Sequence, residues 1–223
     1  MKLAALCSGG KDSLYALWSV LEEGHEVKRI IVMMPRRRDS WMFHQPDSRF
    51  IEFLDEAIGL PLTKVETEGT KREELLNLKS SLENLSIEGV VYGAIRSAYQ
   101  KERIEDICES LDLTPISPLW KKDPFNLLQN MIEDDFIIIV TSVSAGGLGR
   151  EWLGRKVDKE CLEDLRKLHE KYGIHPTGEG GEYETAVLDA PFMSRRIKPV
   201  STKKVWQGDR GYLEIEKMKL VNK

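Results

Sequence analysis

Six consecutive residues near the N-terminus, Ser8-Gly9-Gly10-Lys11-Asp12-Ser13, combine the side-chain types needed to hold an anion. Adjacent glycines let a backbone approach a ligand closely and adopt φ > 0. They follow an apolar run, residues 3–7, and precede an amphipathic run, residues 14–21, so the turn joins a buried strand to a helix. The free N–H groups and positive dipole end of that helix favour a phosphate-like group. Ser8, Lys11 and Ser13 add side-chain donors, while Asp12 is suited to ordering the loop or to a metal ion. The spacing is neither Gly-x-x-x-x-Gly-Lys-Ser/Thr nor Gly-x-Gly-x-x-Gly, so those two phosphate loops are excluded.

A second constellation, residues 178–185, places Glu179, Glu182 and Glu184 beside Gly178, Gly180, Gly181, Tyr183 and Thr185. Such a segment suits a cation: Mg²⁺ on nucleotide phosphates, an ammonium ion, or a positively charged substrate for which Tyr183 offers a ring face. Its plainer reading is a solvated acidic turn. A third, residues 92–103, reads as a strand end entering a helix, with Gly93 and Ala94 at the turn. Arg96 and Arg103 are placed there for bidentate contact with phosphate or carboxylate. A fourth follows the second expected strand. Met33 and Met34 could flank a planar base, Trp41, Met42 and Phe43 are costly to expose without a partner, and His44 suits a structural role as well as a chemical one.

The elements that must position these groups alternate. Strands are expected over 2–7, 27–34, 62–66, 89–94 and 114–117, with helices over 12–23, 47–58, 71–85 and 97–111. That alternation predicts an α/β, doubly wound, mostly parallel sheet, with ligands at the carboxyl ends of its strands. The pattern changes near residue 120. A helix over 123–133, a strand over 136–143, a helix over 159–172 and a hairpin of 198–206 with 212–218 predict a second, smaller α+β domain. The expected division is 1–120 and 121–223.

Composition agrees with a soluble globular chain of 223 residues, 41% hydrophobic, with net charge −4. That balance argues against generic nucleic-acid binding. No apolar run approaches the roughly 20 residues of a membrane span, and Met1-Lys2-Leu3 runs straight into the first strand, so a cytoplasmic chain without a membrane is expected. Cys7, Cys108 and Cys161 are dispersed and odd in number, which suggests neither disulfides nor a zinc ribbon; Cys7 reads as a small buried residue. Charged residues at 31% are a bias expected of a thermophilic source.

The first motif resembles the SGGxDS loop of the PP-loop ATP pyrophosphatases, which split ATP between its α- and β-phosphates. Taken with DSWMFH at 39–44, YGAIRSAYQKERIEDIC at 92–108, GEGGEYET at 178–185 and LDAPF at 188–192, the chain resembles the diphthine–ammonia ligase family in its compact form. The resemblance implies amidation of diphthine on elongation factor 2 by free ammonium, through an acyl-adenylate, with release of AMP and pyrophosphate. It implies ATP and Mg²⁺ as cofactors, with Ser8, Gly9, Gly10, Lys11, Asp12, Ser13, Met33, Gly93, Ala94 and Arg96 about the nucleotide and Asp12 as the metal ligand. Lys11, Asp12, Glu182 and Glu184 would be catalytic. Trp41, His44, Arg103, Glu179, Gly180, Gly181, Glu182, Tyr183 and Thr185 would line the substrate. A homodimer is one arrangement the sequence allows. Two other readings start from the same loop: a PP-loop enzyme that modifies or thiolates tRNA, and a non-catalytic ATP sensor.

Overall fold

A computed structural model describes residues 1–36, 47–68 and 70–223. Trp41 and His44, together with Met42 and Phe43, lie outside the described residues. The chain divides into two compact units, residues 1–55 with 59–120, and residues 56–58 with 121–223. Among the described residues no helix is long and apolar enough to cross a membrane.

The first unit begins with β1 (Lys2–Leu6), α1 (Lys11–Glu22), β2 (Glu26–Pro35), α2 (Ser48–Ile58) and β3 (Leu62–Thr67). It continues with α3 (Lys71–Glu83), β4 (Gly89–Val91), α4 (Ala98–Ser110) and β5 (Thr114–Ile116). The strands form a parallel sheet in the order β3-β2-β1-β4-β5, the doubly wound arrangement expected. Leu3 to Leu6 are all buried, as a strand covered on both faces requires. One face packs Ala4, Leu6, Ile31, Met33, Val90 and Tyr92 against Leu78 and Leu82 of α3 and Ile104 and Cys108 of α4. Helix ends are set locally. Asp47 caps α2 by accepting from the N–H groups of Arg49 and Phe50, and Ser97 caps α4 through Gln100. After α1, Gly24 (φ +81°) turns the chain, and the N–H groups of Gly24 and His25 return to the carbonyls of Leu21 and Val20.

The strand order reverses between β1 and β4, so the turns that follow these two strands flank the crevice where such sheets hold ligands. The two turns are drawn together at Gly93. A Cβ there would sit 2.6 Å from the carbonyl carbon of Asp12 and 2.7 Å from both the Asp12 oxygen and the Ser13 nitrogen. All three are backbone atoms, so no rotamer change could relieve the clash.

The second unit contains α5 (Pro124–Glu133), β6 (Ile137–Val143), α6 (Lys159–Tyr172), β7 (Tyr183–Asp189), β8 (Arg195–Gln207) and β9 (Arg210–Asn222). Its strands form an antiparallel sheet in the order β7-β6-β9-β8. The hairpin is longer than its alternation suggested, with 13 residues in each strand. Strand β7 is not among the expected elements, because residues 183–185 read as the end of a loop. Their pairing with β6, Tyr183 to Val143 and Glu184 to Ser142, makes them strand. At the other end of β7, Asp189 is 5% exposed and accepts from Arg196 Nε at 2.8 Å, with Lys223 Nζ 2.6 Å from its other oxygen. Two cations thereby compensate a buried carboxylate that would be costly alone.

Gly93→Ala is expected to destabilise the first unit by ~1–3 kcal/mol through overpacking. A urea midpoint equal to that of the parent protein would show that the two turns can separate freely.

Candidate functional site

The turn after β1 is built from Ser8 to Ser13. Gly9 has φ +82°, and a Cβ on it would fall 2.9 Å from the Phe50 ring of α2, so conformation and space both require glycine. Gly10 is the extended N-cap of α1 and, having no side chain, leaves the positive end of the helix to another group. Around it the Ser13 hydroxyl donates to the Gly10 carbonyl at 3.1 Å and accepts from the Ser8 N–H at 3.1 Å. The Ser8 hydroxyl lies 3.3 Å from the Ser13 hydroxyl and 3.4 Å from the Gly10 N–H. Lys11 is 3% exposed, and its ammonium sits 2.9 Å from an oxygen of Asp12. A buried cation, a helix start without a side-chain cap and two hydroxyls in one turn are the donor set for a polyphosphate.

Of the groups expected beside this loop, the structure brings Gly93 directly against Asp12 and Ser13. Ala94 is buried next to it, with its carbonyl accepting from the Ser117 hydroxyl at 3.0 Å, and Arg96 follows exposed at the turn. Met33 is buried in the core with Leu6, Tyr92 and Ala94, where packing alone accounts for it. Arg103 stands on α4 with its guanidinium 4.9 Å from the centre of the Tyr99 ring and 4.0 Å from Asp106, held on its own helix rather than at the turn.

In the second unit the residues of the acidic segment are held from several directions. Gly178 (φ +73°) could not carry a Cβ, which would meet the Tyr183 carbonyl at 2.6 Å. Tyr183 is 4% exposed and donates its hydroxyl to the Pro176 carbonyl at 2.5 Å. That phenol is a post beneath the segment. Ser144, in the turn after β6, donates its hydroxyl to Gly181 O and its N–H to Glu182 O at 2.8 Å. The His175 N–H donates to Glu182 Oε1 at 2.8 Å. Glu182 Oε2 is buried and accepts no hydrogen bond among the described residues. Glu179 is half-buried in the turn, while Glu184 and Thr185 are half-buried on β7. Gly180 and Gly181 are exposed. His175 and Ser144 are contacts that sequence reasoning missed. A lone histidine three residues before the motif, and a serine some forty residues away, carry no pattern that sequence alone could use.

Among the described residues no group of three or more His, Cys, Asp or Glu side chains could hold a metal ion by itself. Asp12 offers one carboxylate beside the anion turn, which suits Mg²⁺ bound chiefly through substrate phosphates rather than through a protein cage. All three cysteines are buried. Burial pushes the Cys7 thiol up to about 12 and that of Cys161 to about 11. Cys108 rises to about 11, through burial and then the nearby Glu105 carboxylate.

A parallel sheet with a glycine-rich turn at its switch point, followed along the chain by an antiparallel α+β unit, places this protein among the doubly wound α/β proteins that take ligands at the carboxyl ends of their strands. The family described as diphthamide synthase N-terminal domain matches residues 1–115, and its C-terminal domain matches residues 123–221. A diphthine–ammonia ligase of Mus musculus is 34% identical, covering 99% of this chain and 91% of the relative. That of Bos taurus is 36% identical over 88% of this chain and 82% of the relative. That of Schizosaccharomyces pombe is 37% identical over 88% of this chain but 36% of its own length. The chain belongs to the diphthine–ammonia ligase family.

The thiols give a pH dependence with a definite sign. Their protons are held more tightly in the folded state than at the unfolded value of about 8.5, so the unfolded state binds fewer protons as pH rises. Their contribution to stability is complete below about pH 8.5 and is lost progressively toward pH 11–12. The urea midpoint should fall between pH 8 and pH 10, and fall less in Cys7→Ala; a flat profile for the parent protein would contradict the buried thiols.

Proposed function

We propose that this chain forms the amide of diphthamide on elongation factor 2 from diphthine, ammonium and ATP. The observation that carries this reading is Glu182: one oxygen is fixed by a backbone N–H and the other is buried without a hydrogen-bond partner among the described residues. That carboxylate suits a cationic reactant.

A carboxylate does not react with ammonia at neutral pH, because an oxide is a poor leaving group. In the proposed sequence the diphthine carboxylate attacks the α-phosphorus of ATP, the bond to the β-phosphate bridging oxygen breaks, and pyrophosphate leaves. Ser8, Gly9, Gly10, Lys11 and Ser13 hold the departing β- and γ-phosphates and stabilise the charge that develops there. Met33, Gly93, Ala94 and Arg96 belong to the nucleotide side, with Met33 contributing as core beneath it. Asp12 would hold Mg²⁺, which supplies further neutralisation of phosphate charge. Once ammonium has given up one proton, the resulting ammonia attacks the acyl carbon, AMP leaves with the bonding pair, and the nitrogen passes one further proton to solvent, so that the amide keeps two. Glu182 binds the ammonium ion, and Glu184 accepts a proton from it. Glu179, Gly180, Gly181 and Thr185 shape the place of the trimethylammonium group of diphthine, a cation that cannot donate hydrogen bonds and is met by carboxylates, while Tyr183 supports that place from beneath. Trp41, His44 and Arg103 complete the substrate side of the proposal.

The buried, protonated thiols weigh against a thiolating enzyme, whose chemistry needs accessible thiolates. An ATP sensor would leave the fixed carboxylate of Glu182 without a task.

The chain should release AMP from ATP when supplied with both ammonium and diphthine-bearing elongation factor 2, and mass spectrometry of the histidine peptide should show the amide. AMP release without that mass change would sink the proposal. Glu182→Gln should cut amidation by about a hundredfold, on the scale of losing a charged contact worth ~2–3 kcal/mol. An unchanged rate would remove Glu182 from the mechanism.

A further inference from the structure

The Glu182 carboxylate depends on a turn that lies outside the acidic motif. The N–H that fixes Glu182 Oε1 belongs to His175, at 2.8 Å. The His175 carbonyl accepts from the Gly178 N–H at 2.9 Å, and the Gly178 carbonyl from the Gly181 N–H at 3.0 Å, so residues 175–181 form two successive tight turns. The His175 ring braces the first of them, with Nδ1 2.9 Å from the hydroxyl of Thr177. Thr177 is 2% exposed, so this contact is made away from solvent. In that setting a side-chain hydrogen bond resists exchange with water and fixes the backbone on either side. Within the same turn, the hydroxyl of Tyr183, from the start of β7, holds the Pro176 carbonyl between the two braced residues.

We propose that His175 is a positioning residue for Glu182. Its ring, tied to Thr177, sets the direction of its own N–H; that N–H fixes Glu182 Oε1 and so presents Oε2 to the N–H bonds of the ammonium ion. The inference rests on the assignment of Glu182 to ammonium made above. A carboxylate free to rotate would meet the ammonium ion in many orientations, and ordering it beforehand removes that cost from binding. The contribution therefore falls on the ammonium step and leaves adenylation untouched.

The test uses the full chain with ammonium chloride as the probe. His175→Ala and Thr177→Val each remove one end of the brace, and the valine keeps the volume of the buried threonine. Each should raise the KM for ammonium about five- to tenfold, the scale of one hydrogen bond that orders a charged group. Pyrophosphate exchange into ATP without ammonium should keep its parent rate. The double variant should be no worse than either single one, because both break the same contact. His175→Asn, which can place an acceptor near the position of Nδ1, should restore a KM close to that of the parent protein. An unchanged KM, or an equal fall in exchange and amidation, would overturn the positioning role while leaving the proposed reaction standing. Amidation by the parent protein that shows no saturation with ammonium would remove the reading of Glu182, and this inference with it.

Discussion

Bare backbone meets bare backbone where the chain leaving β4 passes the first turn of α1. The approach at Gly93 leaves no room for a methyl group, and the atoms it would strike are the peptide groups of Asp12 and Ser13. Much of the first unit follows from that contact. It holds the start of α1 at the switch point of the sheet, where the helix dipole can act on an anion. It requires the preceding turn to be tight, which Gly9 provides by adopting a positive φ against the Phe50 ring. Beside it the Lys11 ammonium is buried in the protein, paired with its neighbour Asp12. The turn is thus shaped by backbone placement first and side-chain charge second.

The second unit solves a different problem by different means. Its acidic segment carries several carboxylates close together, which repel one another and would favour an open, hydrated loop. Instead the segment is gripped by Ser144 from one turn, by His175 from another and by the buried Tyr183 from below. Three hydrogen bonds to Gly181 and Glu182 thereby convert a stretch that composition marks as flexible into an ordered one. The arrangement has the logic of preorganised electrostatics, in which the cost of orienting charge is met during folding rather than during reaction.

Sequence alone carried the first unit well, because its signals are local. An apolar run, two glycines and an amphipathic helix lie within twenty residues, and Asp47 and Ser97 mark helix starts by the capping chemistry expected of them. The second unit was less legible. Strand β7 was hidden because the polar Glu184 and Thr185 look like loop residues until β6 is found beside them. Nothing in the sequence marks Asp189 as buried, since its compensating Arg196 and Lys223 come from later in the chain. The burial of Tyr183 and Met33 was not legible either, since aromatic and thioether groups serve packing and ligand contact alike and only the fold shows what surrounds them. Chemistry announced by residue type was visible from the sequence; support supplied from a distance was not.

The buried cysteines bear on how such a protein would behave in a changing cell. Cys7 lies at the base of the glycine-rich turn, its sulfur 3.9 Å from the Ser13 carbonyl, in a place where a modified thiol would push directly on that turn. Oxidants and electrophiles react with thiolate, and burial keeps this thiol protonated at any physiological pH. The turn is thus built around a sulfur that, buried and protonated, cannot easily gain an atom while the protein is folded.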